Sequence, residues 1–338
     1  MKAYILSKVG KPNVLKISET PDPTPKANEV KIKVKRIGIN YAEVLSRRGQ
    51  YSWAPKRPYI PGMEAYGEVM EVGADVSEFE PGDPVIAGAQ FGAYAEFMVT
   101  PQHLVFHAPA EFSEDENAAF LVNYMTAWVA LIKLGKIQKE EKVLIQAAAG
   151  GVGTAAVQIA KAVGSEVFGT ASEPAKLELL NRLGVDHPIN YRTDDFYDYI
   201  KSNSEGMDVV LEMIGGEVFK KSLALLNPFG RMVVAGYASI PLKKWNPLTY
   251  WPAWRDAPKV NVQNMAIGSY GILATHIGYL TSNPSITINE WSDLLAFCQK
   301  HQIKPIVGHT FSFDQIPEAH ALIESRRSTG KVVIRVTE

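Results

Sequence analysis

The chain has a single cysteine, Cys298, among 338 residues. One cysteine excludes a disulfide framework and a cysteine-rich zinc lobe, and it fits a reducing compartment. The first residues, MKAYILSKVGKP, contain no long apolar run of the kind that a signal peptide needs. No stretch approaches the ~20 apolar residues of a membrane span. These absences together predict a cytoplasmic protein.

An excess of charge of either sign is also missing. Lysine and arginine number 35 and aspartate and glutamate 36, which gives a net charge of −1. A nucleic-acid-binding protein needs a basic face to displace counterions, so the composition argues against that class. No G-x-S-x-G nucleophile motif occurs in the sequence.

The length predicts two domains, because single cores seldom grow beyond about 250–300 residues. In residues 1–124, β-branched residues alternate with glycine and proline turns, which predicts a mainly β, partly open barrel. From residue 142 predicted strands and helices alternate, as in a parallel sheet with helices on both faces. We therefore predict an α/β protein: a doubly wound domain in residues 125–272, and a β-rich domain formed by residues 1–124 and 273–338.

Residues 142–161, KVLIQAAAGGVGTAAVQIAK, contain the most informative pattern. An apolar run at 143–148 predicts a buried strand, and an apolar helical stretch follows it. Between them, residues 151–156 match G-x-G-x-x-A, in which glycines permit a tight turn and the approach of a pyrophosphate. A glycine-rich turn that binds nothing is the alternative. We predict that a dinucleotide is bound by backbone N–H groups at the start of the helix, from Gly150, Gly151, Val152 and Gly153.

The end of the next predicted strand distinguishes NAD from NADP. An NAD enzyme usually places an acidic residue about 20 residues after the fingerprint to bind the ribose diol. That position falls on Ala171, which neither binds a diol nor repels a phosphate. Ser172 offers a hydroxyl, and Lys176 follows one helical turn later, where an ammonium can reach a 2′-phosphate. These residues favour NADPH. If Glu173 rather than Ala171 occupied the diol position, NAD would be favoured instead.

Residues 238–259, ASIPLKKWNPLTYWPAWRDAPK, form a Trp-rich insertion. It is too broken by proline for a regular helix and too aromatic for a solvated loop. Three interpretations remain open: an apolar substrate lid, a patch that contacts a lipid surface, and a loop whose rings pack on the domain or on a second subunit. The rings concerned are Trp245, Tyr250, Trp251 and Trp254.

Several motifs together resemble the zinc-free branch of the medium-chain dehydrogenase/reductases, the NADPH:quinone oxidoreductases. The resemblance covers nearly the whole chain, and the Trp-rich insertion with GYL at 278–280 looks most like the vesicle amine transport protein homologues. It implies a Rossmann cofactor domain, a GroES-like catalytic domain and homodimers joined along sheet edges, for which we expect an edge strand near 262–269. The motifs are GINY at 38–41, PGME at 61–64, YMTA at 124–127, AGGVG at 149–153, GTAS at 169–172 and GKV at 330–332.

The zinc alcohol dehydrogenases of this family bind catalytic zinc through a cysteine in the first motif and a histidine in Pro-Gly-His-Glu. In this chain those positions are Asn40 and Met63, and neither is a competent zinc ligand at that geometry. We therefore expect no metal, so that hydrogen bonds polarise the substrate carbonyl or quinone instead.

The resemblance also implies cofactor contacts at matching positions. Asn40 and Thr126 are expected beside the nicotinamide, and Tyr191 is expected to join Ser172 and Lys176 around the 2′-phosphate. The remaining implied cofactor contacts are Gly236, Tyr237, Ser269, Tyr270 and Gly271.

We predict NADPH-dependent reduction of quinones or α,β-unsaturated carbonyls. The cofactor supplies the hydride, and the developing oxyanion needs a hydrogen-bond donor. Tyr51, in Gly-Gln-Tyr, is the first candidate, because related enoyl thioester reductases carry their proposed proton donor there; Asn40 is the second catalytic residue. A pocket-lining role for Tyr51, with water as the donor, stays open. Aromatic surface suited to a flat substrate comes from Tyr41, Trp53 and Tyr59.

Two other functions remain open at this point. One is a lipid-binding or transfer protein that keeps NADPH as a structural ligand. The other is an enoyl-thioester reductase, for which Arg47, Arg48, Lys56 and Arg57 would form a basic mouth.

Overall fold

The computed structural model describes residues 1–236 and 260–336, without the side chain of Leu280. The Trp-rich insertion and Tyr237 lie outside the described residues. The chain divides into two compact units, Met1–Met125 with Gly278–Glu338, and Thr126–Ile277.

Strands occur along the whole described chain. In order they are β1 (Lys2–Ile5), β2 (Lys16–Glu19), β3 (Glu29–Ile39), β4 (Glu64–Val72), β5 (Pro84–Gly88), β6 (Phe97–Pro101), β7 (Val105–His107), β8 (Lys142–Ile145), β9 (Glu166–Ala171), β10 (His187–Asn190), β11 (Met207–Glu212), β12 (Leu226–Val234), β13 (Gly271–Ala274), β14 (Val307–Ser312) and β15 (Lys331–Arg335).

The α-helices of the described chain are distributed over both units. They are α1 (Tyr41–Arg47), α2 (Glu114–Trp128), α3 (Gly151–Val163), α4 (Pro174–Arg182), α5 (Phe196–Asn203), α6 (Gly216–Leu223), α7 (Val262–Gly268), α8 (Ile277–Leu280), α9 (Pro284–Lys300) and α10 (Ile316–Glu324). A π-helical turn, Val129–Leu134, continues α2.

The first unit is built on a mainly antiparallel sheet with the strand order β14-β15-β3-β4-β5-β7, in which β6 also pairs with β3. Alternate residues of β3 are buried at its start, and the strand becomes fully buried towards its end. The last strand, β15, pairs with β3 in antiparallel fashion. The strand near residue 335 thus adds to the sheet that β3 to β7 form, whereas β1 and β2 pair with each other in a separate two-stranded sheet.

The second unit contains a six-stranded parallel sheet with the order β10-β9-β8-β11-β12-β13. This is the Rossmann order, in which β8 is the first strand and the order reverses between β8 and β11. Residues Val143, Leu144 and Ile145 of β8 are fully buried, which explains their continuous apolar run. The predicted fold class is confirmed: a doubly wound Rossmann sheet accompanied by a β-rich unit.

The expected edge strand near 262–269 is wrong, because these residues form α7. The Asn261 side chain caps this helix by accepting the N–H groups of Gln263 at 2.9 Å and Asn264 at 3.2 Å. Ser269, with a left-handed φ of 51°, then ends it. The edge strand is β13, which follows directly.

One described helical stretch, Glu114–Leu134, is long and apolar enough to span a membrane, with 21 residues and a mean hydropathy of 1.2. Within its most apolar window, 78% is buried inside the protein. A core helix meets the same criteria, so the stretch is weak evidence for a membrane span. The sequence prediction missed it because α2 mixes apolar residues with polar ones.

Candidate active site

The loop between β8 and α3 has the geometry of a phosphate cradle. The backbone ladder of α3 begins where the Thr154 N–H donates to the Gly150 carbonyl at 2.8 Å, so the preceding N–H groups have no acceptor within the helix. A Cβ at Gly153 would lie 2.3 Å from the Ala147 carbonyl oxygen, so only glycine fits there. At the positive end of a 13-residue helix, these N–H groups can bind an anion. They belong to Gly151, Val152 and Gly153.

A buried chain of polar side chains supports this loop. Thr170 Oγ1 accepts the Ala147 N–H at 3.1 Å and donates to Gln146 Oε1 at 2.8 Å. Gln146 Nε2 donates to Ser222 Oγ at 3.0 Å, and that hydroxyl donates to Glu212 Oε2 at 3.3 Å. Burial raises the pKa of Glu212. The network fixes the loop that precedes α3, and no local sequence pattern predicts it.

The predicted 2′-phosphate residues follow the end of β9. Ser172 is buried directly after the strand, and Tyr191 donates its N–H to the Ala171 carbonyl at 3.0 Å, which brings these chain segments together. Lys176 lies in the first turn of α4. The structure therefore places Ser172, Lys176 and Tyr191 around one end of the Rossmann sheet.

A second cation, Arg192, joins this group and was missed from the sequence. Its guanidinium lies 3.5 Å from Glu173 Oε1. Burial is the main cause that lowers the pKa of Lys176; the Glu173 carboxylate raises that pKa and the Arg192 guanidinium lowers it. Glu173, the residue that would have favoured NAD, thus faces a cation and follows the end of β9 by two residues.

The other predicted cofactor contacts lie at opposite ends of the strands of this sheet. Gly236 follows the carboxyl end of β12. The glycine loop lies at the same end of the sheet, after β8. Ser269 and Tyr270 precede β13, and Gly271 is its first residue. Because β12 and β13 are parallel, these three residues lie at the amino-terminal ends of the strands. The structure does not bring them to the glycine loop, and the carboxyl end of β13 is Ala274.

In the first unit, Asn40 lies between β3 and α1 and is held by two buried charges. Its Nδ2 donates to Glu64 Oε1 at 3.0 Å, and its Oδ1 accepts from Lys331 Nζ at 2.7 Å. Lys331 also donates to Glu64, whose other oxygen accepts the Val122 N–H at 2.9 Å. A Cβ at Gly38 would lie 2.8 Å from Glu64 Oε1, which explains that glycine. The amide is therefore fixed in orientation by Glu64 and Lys331.

Tyr51 and Trp53 form an aromatic group with Tyr279. The Tyr51 and Trp53 rings are perpendicular with centroids 6.4 Å apart, and the Tyr279 ring lies 6.1 Å from Trp53. Burial, then the charge of Glu43 and then Tyr279 raise the pKa of Tyr51 above its ordinary value. The hydroxyl therefore remains protonated at neutral pH, as a hydrogen-bond donor must.

The other two predicted pocket residues differ in position. Tyr41 begins α1 and is half-buried. Tyr59 is 9% exposed, belongs to the hydrophobic core of the first unit and accepts the Leu6 N–H through its carbonyl at 2.9 Å. Its ring also contacts Phe91. The structure thus gives Tyr59 a core position rather than a place in the aromatic group.

Comparisons with known proteins agree with this arrangement. Residues 26–110 match the alcohol dehydrogenase GroES-like domain, and residues 183–334 match a zinc-binding dehydrogenase domain. The human synaptic vesicle membrane protein VAT-1 homolog is 32% identical over 339 residues, 99% of this chain and 86% of the relative. Human quinone oxidoreductase is 30% identical over 343 residues, 99% of this chain and 97% of the relative.

A solved structure shows the same likeness. The crystal structure of Escherichia coli quinone oxidoreductase complexed with NADPH has a TM-score of 0.88 and 28% identity, over 99% of this chain and 100% of that chain. The chain belongs to the medium-chain dehydrogenase/reductase family. Its relatives include quinone oxidoreductases and VAT-1 homologues, so the predicted family is confirmed.

Some medium-chain dehydrogenase/reductases use zinc, so the residues at the zinc-ligand positions decide whether this chain can bind it. Asn40 has both amide atoms engaged by Glu64 and Lys331, and Met63 offers only a thioether. The buried Lys331 ammonium beside Asn40 repels a cation. Among residues 1–236 and 260–336, no group of three or more His, Cys, Asp or Glu could hold a metal ion. The residues present do not fit a catalytic zinc.

Two charged residues at this site were missed from the sequence. Lys331 falls in the quoted GKV motif, where a lysine at the start of an otherwise apolar strand was a usable signal. Glu43 follows Asn40 by three residues, which is the spacing of a capping box. Its carboxylate does accept the Asn40 N–H, at 2.5 Å.

Proposed function

We propose that this protein is an NADPH-dependent, metal-independent reductase of quinones or α,β-unsaturated carbonyls. The observation that carries the proposal is the glycine loop after β8, whose N–H groups can bind a pyrophosphate and whose Gly153 leaves no room for a side chain. The family relatives named above support the redox chemistry. We also propose that the protein is cytoplasmic.

The choice of NADPH rests on the group after β9. Lys176 and Arg192 supply two cations, and Ser172 supplies a hydroxyl, which together suit a phosphate monoester. Glu173 is occupied by the ion pair with Arg192, so it does not present an isolated acid to a ribose diol. Tyr191, which is 47% exposed beside them, offers a ring surface for the adenine.

Bound NADPH supplies the hydride in this proposal. The chain's own residues bind and orient the reactants. The glycine loop holds the pyrophosphate, and Gly236 allows close approach of NADPH at the same end of the strands. Tyr51 donates a hydrogen bond to the substrate oxygen as negative charge develops there. Asn40, fixed by Glu64 and Lys331, positions the start of α1. The flat rings of Trp53 and Tyr279 favour a flat, apolar substrate.

The test is NADPH oxidation against a panel of quinones, enones and enoyl thioesters. Turnover with quinones or enones is expected, whereas turnover with thioesters alone would favour an enoyl-thioester reductase. No turnover on any acceptor, with NADPH bound, would contradict the proposal.

A charge variant tests the cofactor assignment. Lys176→Ala with Arg192→Ala should raise the KM for NADPH by at least about 10–100-fold, the effect of losing one charged hydrogen bond of about 1.5–3 kcal/mol, and should leave the KM for NADH unaffected. Lys139→Ala, at an exposed lysine of the same unit, is the control. Equal effects on NADPH and NADH would contradict the assignment.

A lipid-binding function is the second candidate, because a relative at 32% identity is named a synaptic vesicle membrane protein. The Trp-rich insertion at 238–259 would then contact lipid. Liposome flotation of a variant with Trp245, Trp251 and Trp254 replaced by Ala should show lost binding relative to Phe91→Ala, a control at an exposed ring. Equal flotation of both variants would contradict this function.

We also propose a homodimer joined at the β13 edge. Large apolar side chains are exposed next to this strand: Phe229 by 82%, Val262 by 76% and Ile267 by 78%. The Phe229 N–H donates to the Ser269 carbonyl at 2.6 Å, which places this ring beside the end of α7. Light scattering should give a dimer for the wild type and for Met70→Asp, and a monomer for Phe229→Asp with Ile267→Asp. A dimer in both variants would exclude this edge.

A further inference from the structure

Glu212, the last residue of β11, binds the backbone of the loop that follows its own strand. We call residues 213–215 the β11 loop. The Glu212 side chain is fully buried, and its Oε1 accepts the Ile214 N–H at 2.6 Å and the Gly215 N–H at 2.7 Å. Its other oxygen, Oε2, accepts from the Ser222 hydroxyl at 3.3 Å. Both backbone contacts therefore depend on one acceptor atom.

These two hydrogen bonds fix the direction in which the peptide groups of the β11 loop face. Among the described residues, the one cis peptide bond precedes Pro58, so the two peptide groups concerned are trans. In a trans peptide the carbonyl points opposite to the N–H. The carbonyl oxygens of Met213 and Ile214 therefore point away from Glu212. In agreement, a Cβ at Gly236 would lie 3.6 Å from the Met213 oxygen, which places that carbonyl beside the end of β12.

The β11 loop lies where the strand order of the Rossmann sheet reverses. Strand β11 pairs with β8 in parallel, so the β11 loop and the glycine loop follow neighbouring strands at the same end of the sheet. Ligands of doubly wound sheets bind in the crevice at such a reversal. The residues proposed to bind the 2′-phosphate follow β9, on the other side of β8. A dinucleotide that also has its pyrophosphate on the glycine loop therefore extends its nicotinamide half towards β11.

Buried hydrogen bonds also join the β11 loop to the start of the glycine loop. Gln146 follows β8 directly, and its Nε2 donates to the Ser222 hydroxyl oxygen that donates to Glu212. The Gln146 N–H donates to the Leu211 carbonyl at 3.2 Å, immediately before Glu212. The position of the β11 loop relative to the glycine loop is thus set by side chains of the protein interior.

We propose that Glu212 is a positioning residue for the nicotinamide half of the bound dinucleotide. By holding two N–H groups towards the interior, it presents the carbonyl oxygens of Met213 and Ile214 to the donors of that half, its ribose hydroxyls and its carboxamide. The inference rests on the proposed function, since it requires a bound dinucleotide. The role needs a hydrogen-bond acceptor at Oε1, which a carboxylate and a neutral side chain can both supply.

The test uses calorimetric titration with NADPH and with adenosine 2′,5′-bisphosphate, which lacks the nicotinamide half. Glu212→Met keeps the length of the side chain and removes the acceptor. It should bind NADPH about tenfold more weakly than wild type, as the loss of about one net hydrogen bond implies, and should bind the bisphosphate as wild type does. Glu212→Gln keeps an oxygen for both N–H groups and should bind both ligands like wild type. Glu217→Gln, at an exposed residue of α6, is the matched control.

A merely structural role gives a different pattern. Equal loss of affinity for both ligands in Glu212→Met, or no loss, overturns the inference, and so does Glu212→Gln if it is as impaired as Glu212→Met. Wild type that does not bind NADPH overturns the proposed function, and this inference with it.

Hydrogen exchange of wild type replaces the titration should Glu212→Met fail to fold. NADPH should slow amide exchange at Ile214 and Gly215 more than the bisphosphate does, because the nicotinamide half contacts the β11 loop. Equal exchange with the two ligands overturns the inference.

Discussion

The buried ion pair between Lys331 and Glu64 allows a quantitative prediction. The two side chains are 2% and 1% exposed, and Lys331 also donates to Asn40. Lys331→Met removes the ammonium and leaves the Glu64 carboxylate buried, with Asn40 Nδ2 and the Val122 N–H as its remaining donors within the described residues. Breaking a buried pair in this way destabilises a protein by about 3–5 kcal/mol. We expect a loss of that size in the free energy of unfolding, measured by urea titration at pH 7.

Two controls identify the cause. Glu64→Gln combined with Lys331→Met removes both charges, so the double variant should be more stable than Lys331→Met alone. Lys35→Met breaks the Lys35–Glu68 pair at 3.0 Å, whose side chains are 29% and 39% exposed, and should lose less than about 1 kcal/mol. If Lys331→Met lost no more than Lys35→Met, or the double variant were the least stable, the reasoning would be refuted.

Three further predictions concern other buried groups. The folded pKa of His320 is about 3, below its ordinary 6.5, so wild type should lose stability as pH falls from 6.5 towards 3, by about 2 kcal/mol at pH 5, whereas urea unfolding of His320→Gln should not show this component. Thr170→Val removes two hydrogen bonds beneath the glycine loop and should lower the unfolding free energy by about 1–3 kcal/mol in the same assay. Gly153→Ala would place a Cβ 2.3 Å from the Ala147 carbonyl, so calorimetric titration should show NADPH affinity lost; unchanged binding would contradict the cradle.

Local signals explain the parts of the fold that the sequence predicts well. The apolar run of β8 and the glycines after it lie within 20 residues. The run predicts a buried strand, and the glycines predict the tight turn after it. The alternation of apolar and polar residues at the start of β3, Glu29–Ile39, likewise matches the one face of that strand that is buried there. The positions of Ser172 and Lys176 can be predicted from the same local pattern, because the end of β9 fixes where α4 begins.

Long-range contacts explain what the sequence could not give. Lys331 is 291 positions from Asn40, and no local pattern pairs them. The error over 262–269 has a different origin: its apolar residues suit a strand, but Asn261 and Ser269 cap a helix there. Ser269, Tyr270 and Gly271 were placed by resemblance alone, without knowledge of which end of β13 they occupy.

We propose above that the loop after β8 and the cations after β9 together bind NADPH. Isothermal titration of the purified protein with NADPH and with NADH tests it most directly. We expect one NADPH bound per chain, with tighter binding than NADH, and loss of that preference in Lys176→Ala with Arg192→Ala. Binding of neither nucleotide would contradict the account.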